Sequence, residues 1–306
     1  MKSLSVIIPT YNRCGTLQKV LSALFQQSAL SSIAEIVVVD DGSTDSTRAV
    51  VERLAQGSPV PIRYFRQENK GPAAARNLGI REVATDLILF TDDDIIPQPA
   101  LVAEHLDWHS RSPELSVAVL GYVTWDPEVN PTPFMMWYES LVFRWADVAG
   151  RRQVGYEYFY TCNLSLKTEF LRRNGTFDED FKTAAYEDTE LAYRLNNAGM
   201  RLLYNPRASA YHHQFFRFSD VCRKAVANMS AARLFLQKEA GQAVLGPQIE
   251  KKSRWWPRIT RPMATVVAAV LKPARPLLNS RVPLPRFIYQ LFYWHDVVRP
   301  ADVLRP

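Results

Sequence analysis

The stretch "FTDDDIIP", residues 90–97, sets three carboxylates side by side between an apolar run and a proline. Adjacent like charges repel, and enclosure pushes such groups toward their neutral form unless a cation or hydrogen-bond donors compensate. If strand alternation carries through the triplet, Asp92 and Asp94 face one side and Asp93 the other. Two carboxylates on one side suit Mg²⁺ or Mn²⁺, which take oxygen ligands and share them with substrate phosphates. The alternative is a solvated acidic turn before Pro97. A second acidic pair, Asp40 and Asp41 in "VVVDDGSTD", offers a similar choice. With Gly42 and Ser43 it can form a plain turn, or one carboxylate can accept a hydrogen bond from a nucleobase N–H or a ribose hydroxyl, with Tyr11 stacked on the ring.

The elements that must position these groups are legible in the first hundred residues. "LSVIIP" (4–9), "AEIVVVDDGS" (34–43), "PIRYFRQ" (61–67) and "DLILF" (86–90) are short β-branched apolar runs that read as strands. Between them, Leu17, Val20, Leu21, Leu24 and Phe25 recur at helical spacing, Val50, Val51 and Leu54 continue a helix, and "GPAAARNLGIREVA" (71–84) predicts a helix with Pro72 in its first turn. Strand–helix alternation with short links predicts a Rossmann-like α/β domain, a mostly parallel sheet with helices on both faces. Ligands of such sheets bind outside the carboxyl ends of the strands. Pro9-Thr10-Tyr11, Asp40-Asp41 and Asp92-Asp93-Asp94 each follow a strand's last residues, so three polar sets converge on one edge.

Residues 108–215 are less regular and rich in aromatics. "YEDTELAYRLNNAG" predicts an amphipathic helix with Leu191 and Leu195 on one face and Gly199 as its C-terminal cap. From about 216 the pattern is helical, with Val221, Ala225, Met229, Ala232 and Leu236 on one stripe. The 306 residues, 47% of them hydrophobic and 11% aromatic, suffice for a packed core. The three cysteines, Cys14, Cys162 and Cys222, make neither a disulfide framework nor a zinc pattern and point to a reducing, cytoplasmic setting. "MKSLSVIIPTYNR" is too briefly apolar for a signal peptide, and "MATVVAAVL" (263–271) is half a membrane span. Neither G-x-G-x-x-G nor G-x-x-x-x-G-K-[ST] is present, which argues against a dinucleotide dehydrogenase and a P-loop NTPase.

Seven stretches in order, "SVIIPTYNR", "VVVDDGSTD", "GPAAARNLGI", "FTDDDIIP", "GTFDEDF", "YEDTELAYRL" and "PRASAYHH", resemble the family-two inverting glycosyltransferases of the GT-A fold. The resemblance covers residues 4 to about 215. It implies that Pro9, Tyr11 and Asp41, with Asp40 beside them, hold the nucleotide base, and that Arg76 and Asn77 close on the nucleotide. It implies that Asp92 and Asp94 carry a divalent ion, Mn²⁺ or Mg²⁺, with His212 nearby, and that Asp93 faces the donor or turns away. Asp188 matches the general base, with Glu187 as its partner, and Asn163 matches a position lining the acceptor and donor-sugar pocket. The helix start at Asp188 favours an ionised carboxylate, the form a base needs; the same residues also serve as helix caps.

The implied donor is a nucleotide-diphosphate sugar, most often UDP-linked, and the acceptor a hydroxyl of a glycan, a lipid-linked molecule or another compound. Two rivals are a nucleotidyltransferase, whose glycine-rich phosphate loop is missing after the first strand, and a non-catalytic glycan- or partner-binding relative. The expected organisation is a GT-A nucleotide-sugar-binding domain over 1–215 and a helical, basic, aromatic extension over 216–306. Within 248–306, eleven Lys and Arg residues interleave with Trp255, Trp256, Phe287, Tyr289, Phe292, Tyr293 and Trp294. That composition suits the anionic inner face of a membrane, or a homo-oligomer contact; nucleic acid is not an expected partner.

Overall fold

The computed structural model describes residues 3–245, 272–293 and 295–296. These form two compact units: 3–126 with 148–214, and 127–147 with the described residues from 215 onward. Most of 248–306 lies outside the described residues, including Trp255, Trp256, Trp294 and the run 263–271, so the expected membrane-facing or oligomer-forming segment does too.

The strands are β1 (Leu4–Thr10), β2 (Ile33–Asp40), β3 (Ile62–Arg66), β4 (Leu87–Thr91), β5 (Ile95–Pro97), β6 (Val117–Trp125), β7 (Gln153–Val154), β8 (Asn163–Lys167) and β9 (Arg201–His212). The α-helices are α1 (Cys14–Leu24), α2 (Thr47–Gln56), α3 (Pro72–Glu82), α4 (Leu101–Arg111), α5 (Pro133–Val142), α6 (Trp145–Val148), α7 (Thr168–Asn174), α8 (Glu187–Asn197), α9 (Phe218–Ala227) and α10 (Met229–Gln237), with a C-terminal helix at Arg286–Tyr293. The four expected strands and the expected helices before residue 200 are present; the second strand ends at Asp40 rather than at 43, and other ends shift by a residue or two.

All nine strands join one sheet, ordered β3-β2-β1-β4-β8-β6-β9-β5, with β7 beside β9. β3, β2, β1 and β4 are parallel neighbours. β8 then runs antiparallel between β4 and β6, β9 returns parallel to β6, and β5 and β7 run antiparallel to β9. Six strands therefore point one way and three the other. β1, β4 and β8 are buried along their whole lengths, the mark of a sheet covered on both faces. α3 packs on β1 and β2, and α4 on β6 and β9. The approach of α3 requires a glycine: a Cβ on Gly79 would come 2.6 Å from Ile7 Cγ2.

Two expectations are corrected. β4 ends at Thr91 and residues 92–94 form a turn, so strand alternation does not extend through the aspartates. The stripe from Val221 to Leu236 is not one helix. It divides at Asn228 into α9 and α10, and Ala231 and Phe235 are the buried residues of the second helix. Within the second unit, Phe134 and Trp137 of α5 meet Tyr289 at ring-centroid distances of 6.0 and 5.7 Å, and Phe134 also meets Phe218 at 5.6 Å. Tyr289 and Phe292 are buried, while Phe287 is exposed. No helix among the described residues is long and apolar enough to cross a membrane.

Candidate active site

The polar strand ends converge as the β2–β1–β4 order requires. Thr10, the last residue of β1, donates its hydroxyl to Asp93 Oδ2 at 2.7 Å. Beyond it, Asn12 takes a left-handed backbone (φ 53°) that asparagine tolerates, and Arg13 turns toward the aspartates. Its guanidinium contacts Asp94 and lies 3.4 Å from Asp93 Oδ1. Asp93 and Asp94 are therefore neighbours around one cation and both are buried, while Asp92 turns elsewhere. Asp92 Oδ1 accepts from Arg76 Nη2 at 2.8 Å, and Arg76 Nη1 donates to Glu187 Oε1 at 3.1 Å. Arg76, only 3% exposed, thus links the strand-end aspartates to the first turn of α8.

The helix α8 begins after Tyr186, whose φ of 69° is left-handed. A bulky residue rarely adopts that conformation without cause; here it aims Glu187 and Asp188 at Arg76. Tyr186, as the N-cap residue, makes no side-chain cap hydrogen bond; Asp188 Oδ1 instead accepts from the Thr189 N–H of the first turn at 2.8 Å.

Burial dominates the electrostatics. It pushes Glu187 up to about 7, reinforced by Asp188 and opposed by Arg76. Asp188 is also raised, chiefly by burial, despite Arg76 and the Thr189 N–H; enclosure outweighs the helix N-terminus that the sequence emphasised. Asp93 is pushed up to about 7 by burial and by Asp94. For Asp94, burial acts the same way but His212 and Arg13 prevail, and it stays below the usual carboxylate range.

His212 ends β9, its ring stacked on Trp125 at 4.9 Å and 20°, and its Nε2 lies 3.3 Å from Asp94 Oδ2. His213 instead meets Asp126, Nδ1 to Oδ2 2.6 Å. The oxygen and imidazole donors of Asp92, Asp94 and His212 are chemically those that Mn²⁺ or Mg²⁺ accepts. Asp94 and His212 already adjoin, whereas Asp92 is held apart by its bond to Arg76.

Other expected residues are committed to the fold. Asp40 accepts from Ser43 N–H at 2.7 Å and from the Tyr64 hydroxyl. Asp41 accepts from Gln67 Nε2 and from the N–H groups of Lys70 and Gly71 at 2.7 to 2.9 Å. These bonds tie the β2 end to the entry of α3, beside Pro9 in β1. Tyr11 is 45% exposed and open for stacking. Asn77 is anchored to Phe177 and Glu179. The Asn163 side chain is buried, with Nδ2 donating to Tyr122 O and Ala208 O and Oδ1 against His105, so its amide braces the sheet rather than lining an open pocket.

Sequence reasoning missed the contacts of Arg13 and of Thr10, the latter named only within a polar strand end, and the placement of Trp125 and Cys162 beside the cluster. The first two lie inside "SVIIPTYNR", where a cation and a hydroxyl at a strand end beside acids were the available signal. Cys162 precedes β8; burial and the nearby Asp92, Asp188 and Asp94 push its thiol pKa well up.

The family model for Glycosyl transferase family 2 matches residues 5–167. Validoxylamine A glucosyltransferase of Streptomyces hygroscopicus subsp. jinggangensis is 35% identical over 225 residues, covering 64% of this chain and 52% of that protein. Chondroitin synthase of Pasteurella multocida is 28% identical over 240 residues, covering 69% and 25%. This chain thus spans about half the length of the first relative and a quarter of the second. Among solved structures, the mannosyltransferase PcManGT from Pyrobaculum calidifontis in complex with GDP-Man and Mn²⁺ superposes with a TM-score of 0.58 at 18% identity, over 95% of this chain and 86% of that one. S. aureus TarS in complex with UDP-GlcNAc gives 0.56 at 17%, over 99% and 83%. The fold is GT-A, and the chain belongs to glycosyl transferase family 2.

Proposed function

We propose that the protein is an inverting glycosyltransferase that moves a sugar from a nucleotide-diphosphate donor, UDP-linked by preference, to a hydroxyl of a glycan, lipid-linked or other acceptor. The observation that carries this reading is the meeting of Asp92, Asp93, Asp94, Glu187 and Asp188 around Arg13 and Arg76 at one sheet edge. A single in-line displacement needs a base on one side of the anomeric carbon and charge neutralisation of the departing diphosphate on the other.

Asp188 takes the proton of the attacking hydroxyl, and its raised proton affinity brings it closer to the working pH of a base. Glu187, tied to Arg76, holds the first turn of α8 in place for that transfer. Tyr11 stacks on the base, and Pro9, Asp40 and Asp41 shape the floor beneath it. Asp92, Asp94 and His212 would hold a divalent ion, which when bound supplies the positive charge that the leaving diphosphate requires. Arg13 and Arg76 balance part of the carboxylate charge. The setting we infer is the cytoplasmic face of a membrane or the cytoplasm itself.

The test is turnover of UDP- and GDP-sugars with Mn²⁺ and an acceptor panel, with NMR assignment of the product's anomeric centre. Transfer with inversion, lost in Asp188→Ala and Asp94→Ala, is expected. Retention at the anomeric carbon, or turnover undiminished in Asp188→Ala, would overturn the reading.

A further inference from the structure

A second polar assembly lies beneath the sheet edge, on the face covered by α4. Alternate residues of β8, namely Asn163, Ser165 and Lys167, meet His105 and His109, four residues apart on α4. Two residues of strand advance about 6.8 Å and four of helix about 6 Å, so the two repeats interleave. The resulting chain is continuous. Lys167 Nζ lies 2.9 Å from His109 Nδ1, His109 Nε2 lies 2.8 Å from Ser165 Oγ, Ser165 Oγ lies 2.7 Å from His105 Nδ1, and His105 Nε2 lies 2.9 Å from Asn163 Oδ1. Each of these five residues is at most 5% exposed.

An ammonium can only donate, which sets the direction of every later bond. Lys167 gives to His109 Nδ1 and to Ser112 O, the latter at 2.9 Å. His109 must then carry its hydrogen on Nε2 and give it to Ser165. The serine hydroxyl gives to His105 Nδ1, and His105 gives its Nε2 hydrogen to Asn163 Oδ1. That fixes which end of the Asn163 amide is oxygen. Its Nδ2 is left to donate to Tyr122 O at 3.2 Å and Ala208 O at 2.8 Å.

Those two carbonyls flank the irregularity in the β6–β9 pair. The register passes from Gly121↔Asn205 directly to Tyr122↔Ser209, so residues 206–208 have no partner on β6. A Cβ on Gly121 would collide with Asn163 Nδ2 and Ala208 O, so the amide fills the gap tightly. Glu104, next to His105 on α4, secures the other end of the same bulge, accepting from Asn205 Nδ2 at 3.0 Å and pairing with Arg207 at 3.3 Å. Past the bulge, β6 and β9 resume their pairing and deliver Trp125 and His212 to the site.

We propose that Lys167, His109, Ser165 and His105 form a buried positioning relay that orients the Asn163 amide across the β6–β9 bulge and thereby fixes His212 against Asp94. None of the four touches substrate. The relay rests on the transferase reading only for its consequence at the metal-holding residues; its hydrogen-bond direction stands independently.

The test is nitrogen NMR of histidine-labelled full-length protein, combined with Mn²⁺ titration followed by electron paramagnetic resonance, for wild type, Ser165→Ala and Ser165→Thr. The wild type is expected to show His105 and His109 as neutral rings with the hydrogen on Nε2. Ser165→Ala should mix the tautomers of both, shift the His212 resonance, and weaken Mn²⁺ affinity by about tenfold, the usual scale for an outer-shell partner. Ser165→Thr, which keeps the hydroxyl, should restore all three. Lys167→Met is the second route, releasing His109 Nδ1 without touching Ser165. A folded Ser165→Ala protein with unchanged His212 resonance and unchanged Mn²⁺ affinity would overturn the relay, as would an Nδ1–H tautomer at either ring in wild type. If wild type binds no Mn²⁺, the metal-dependent transferase reading fails, and the tautomers with the His212 shift still decide the relay.

Discussion

Two buried polar assemblies occupy the same unit and are satisfied to different degrees. Around β4 and α8, five carboxylates face Arg13 and Arg76, and Glu187 Oε2 is buried without a hydrogen-bond partner. Between α4 and β8, every link from Lys167 to Asn163 has a partner on either side, with a single formal charge at one end. An assembly with surplus negative charge is poised to receive positive charge and to exchange partners. One with its hydrogen bonds closed resists rearrangement and serves to hold geometry. Under the proposed function, the difference separates what changes during turnover from what must not.

The comparison breaks first at Asp188, the proposed base. Asp188→Ala should lower kcat by about a thousandfold, within the usual range for a general base, while the melting temperature of the protein stays near that of wild type; a steady-state assay beside a thermal melt checks both halves. Next comes the bridge between the two carboxylate groups. Arg76→Gln leaves Glu187 and Asp92 without their shared cation, and breaking such a buried pair costs roughly 3 kcal/mol or more, read by urea denaturation at neutral pH. Arg13 is 37% exposed at its side chain, so solvent screens the loss in Arg13→Gln, which should cost under about 1 kcal/mol in the same titration. Equal losses for the two arginines would mean that the cluster is not graded by burial.

The relay responds to acid. Burial, opposed by Asn163 and Glu104, holds His105 down to about 4 from an ordinary 6.5. The folded protein therefore binds fewer protons than the unfolded chain between those values. The stability this provides is complete above about 6.5 and drains as pH falls toward 4, by roughly 3 kcal/mol in total. The denaturation midpoints of wild type and His105→Gln should converge as pH is lowered through that window. A constant gap would mean that the imidazole titrates as in water.

The contrast also explains what could be read in advance. The parallel half was legible because each strand is a short β-branched run ending in polar residues, and Gly71-Pro72 announces α3. The aspartate triplet was legible as a candidate site but not in its arrangement, since a turn replaces the strand at Asp92 and regroups Asp93 with Asp94. The other half hid itself. "NLSLK" alternates polar and apolar residues as a strand with one wet face would, yet its polar face is covered by α4, and only tertiary packing reveals that. β9 contains Pro206 and a bulge, which disguise a twelve-residue strand. His105 and His109 recur at helical spacing, but their partners lie 58 and 56 residues away, beyond the reach of local pattern.

The left-handed backbone at Tyr186 has a further consequence for anyone wishing to make the protein more robust. Glycine occupies that conformation freely, so Tyr186→Gly removes a penalty from the folded state while adding freedom to the unfolded one. The backbone at the entry to α8 would gain freedom, and the first turn would be less firmly fixed. A stabiliser's obvious target is thus the hinge on which the aim of the acidic pair depends, and durability gained there would be taken from alignment.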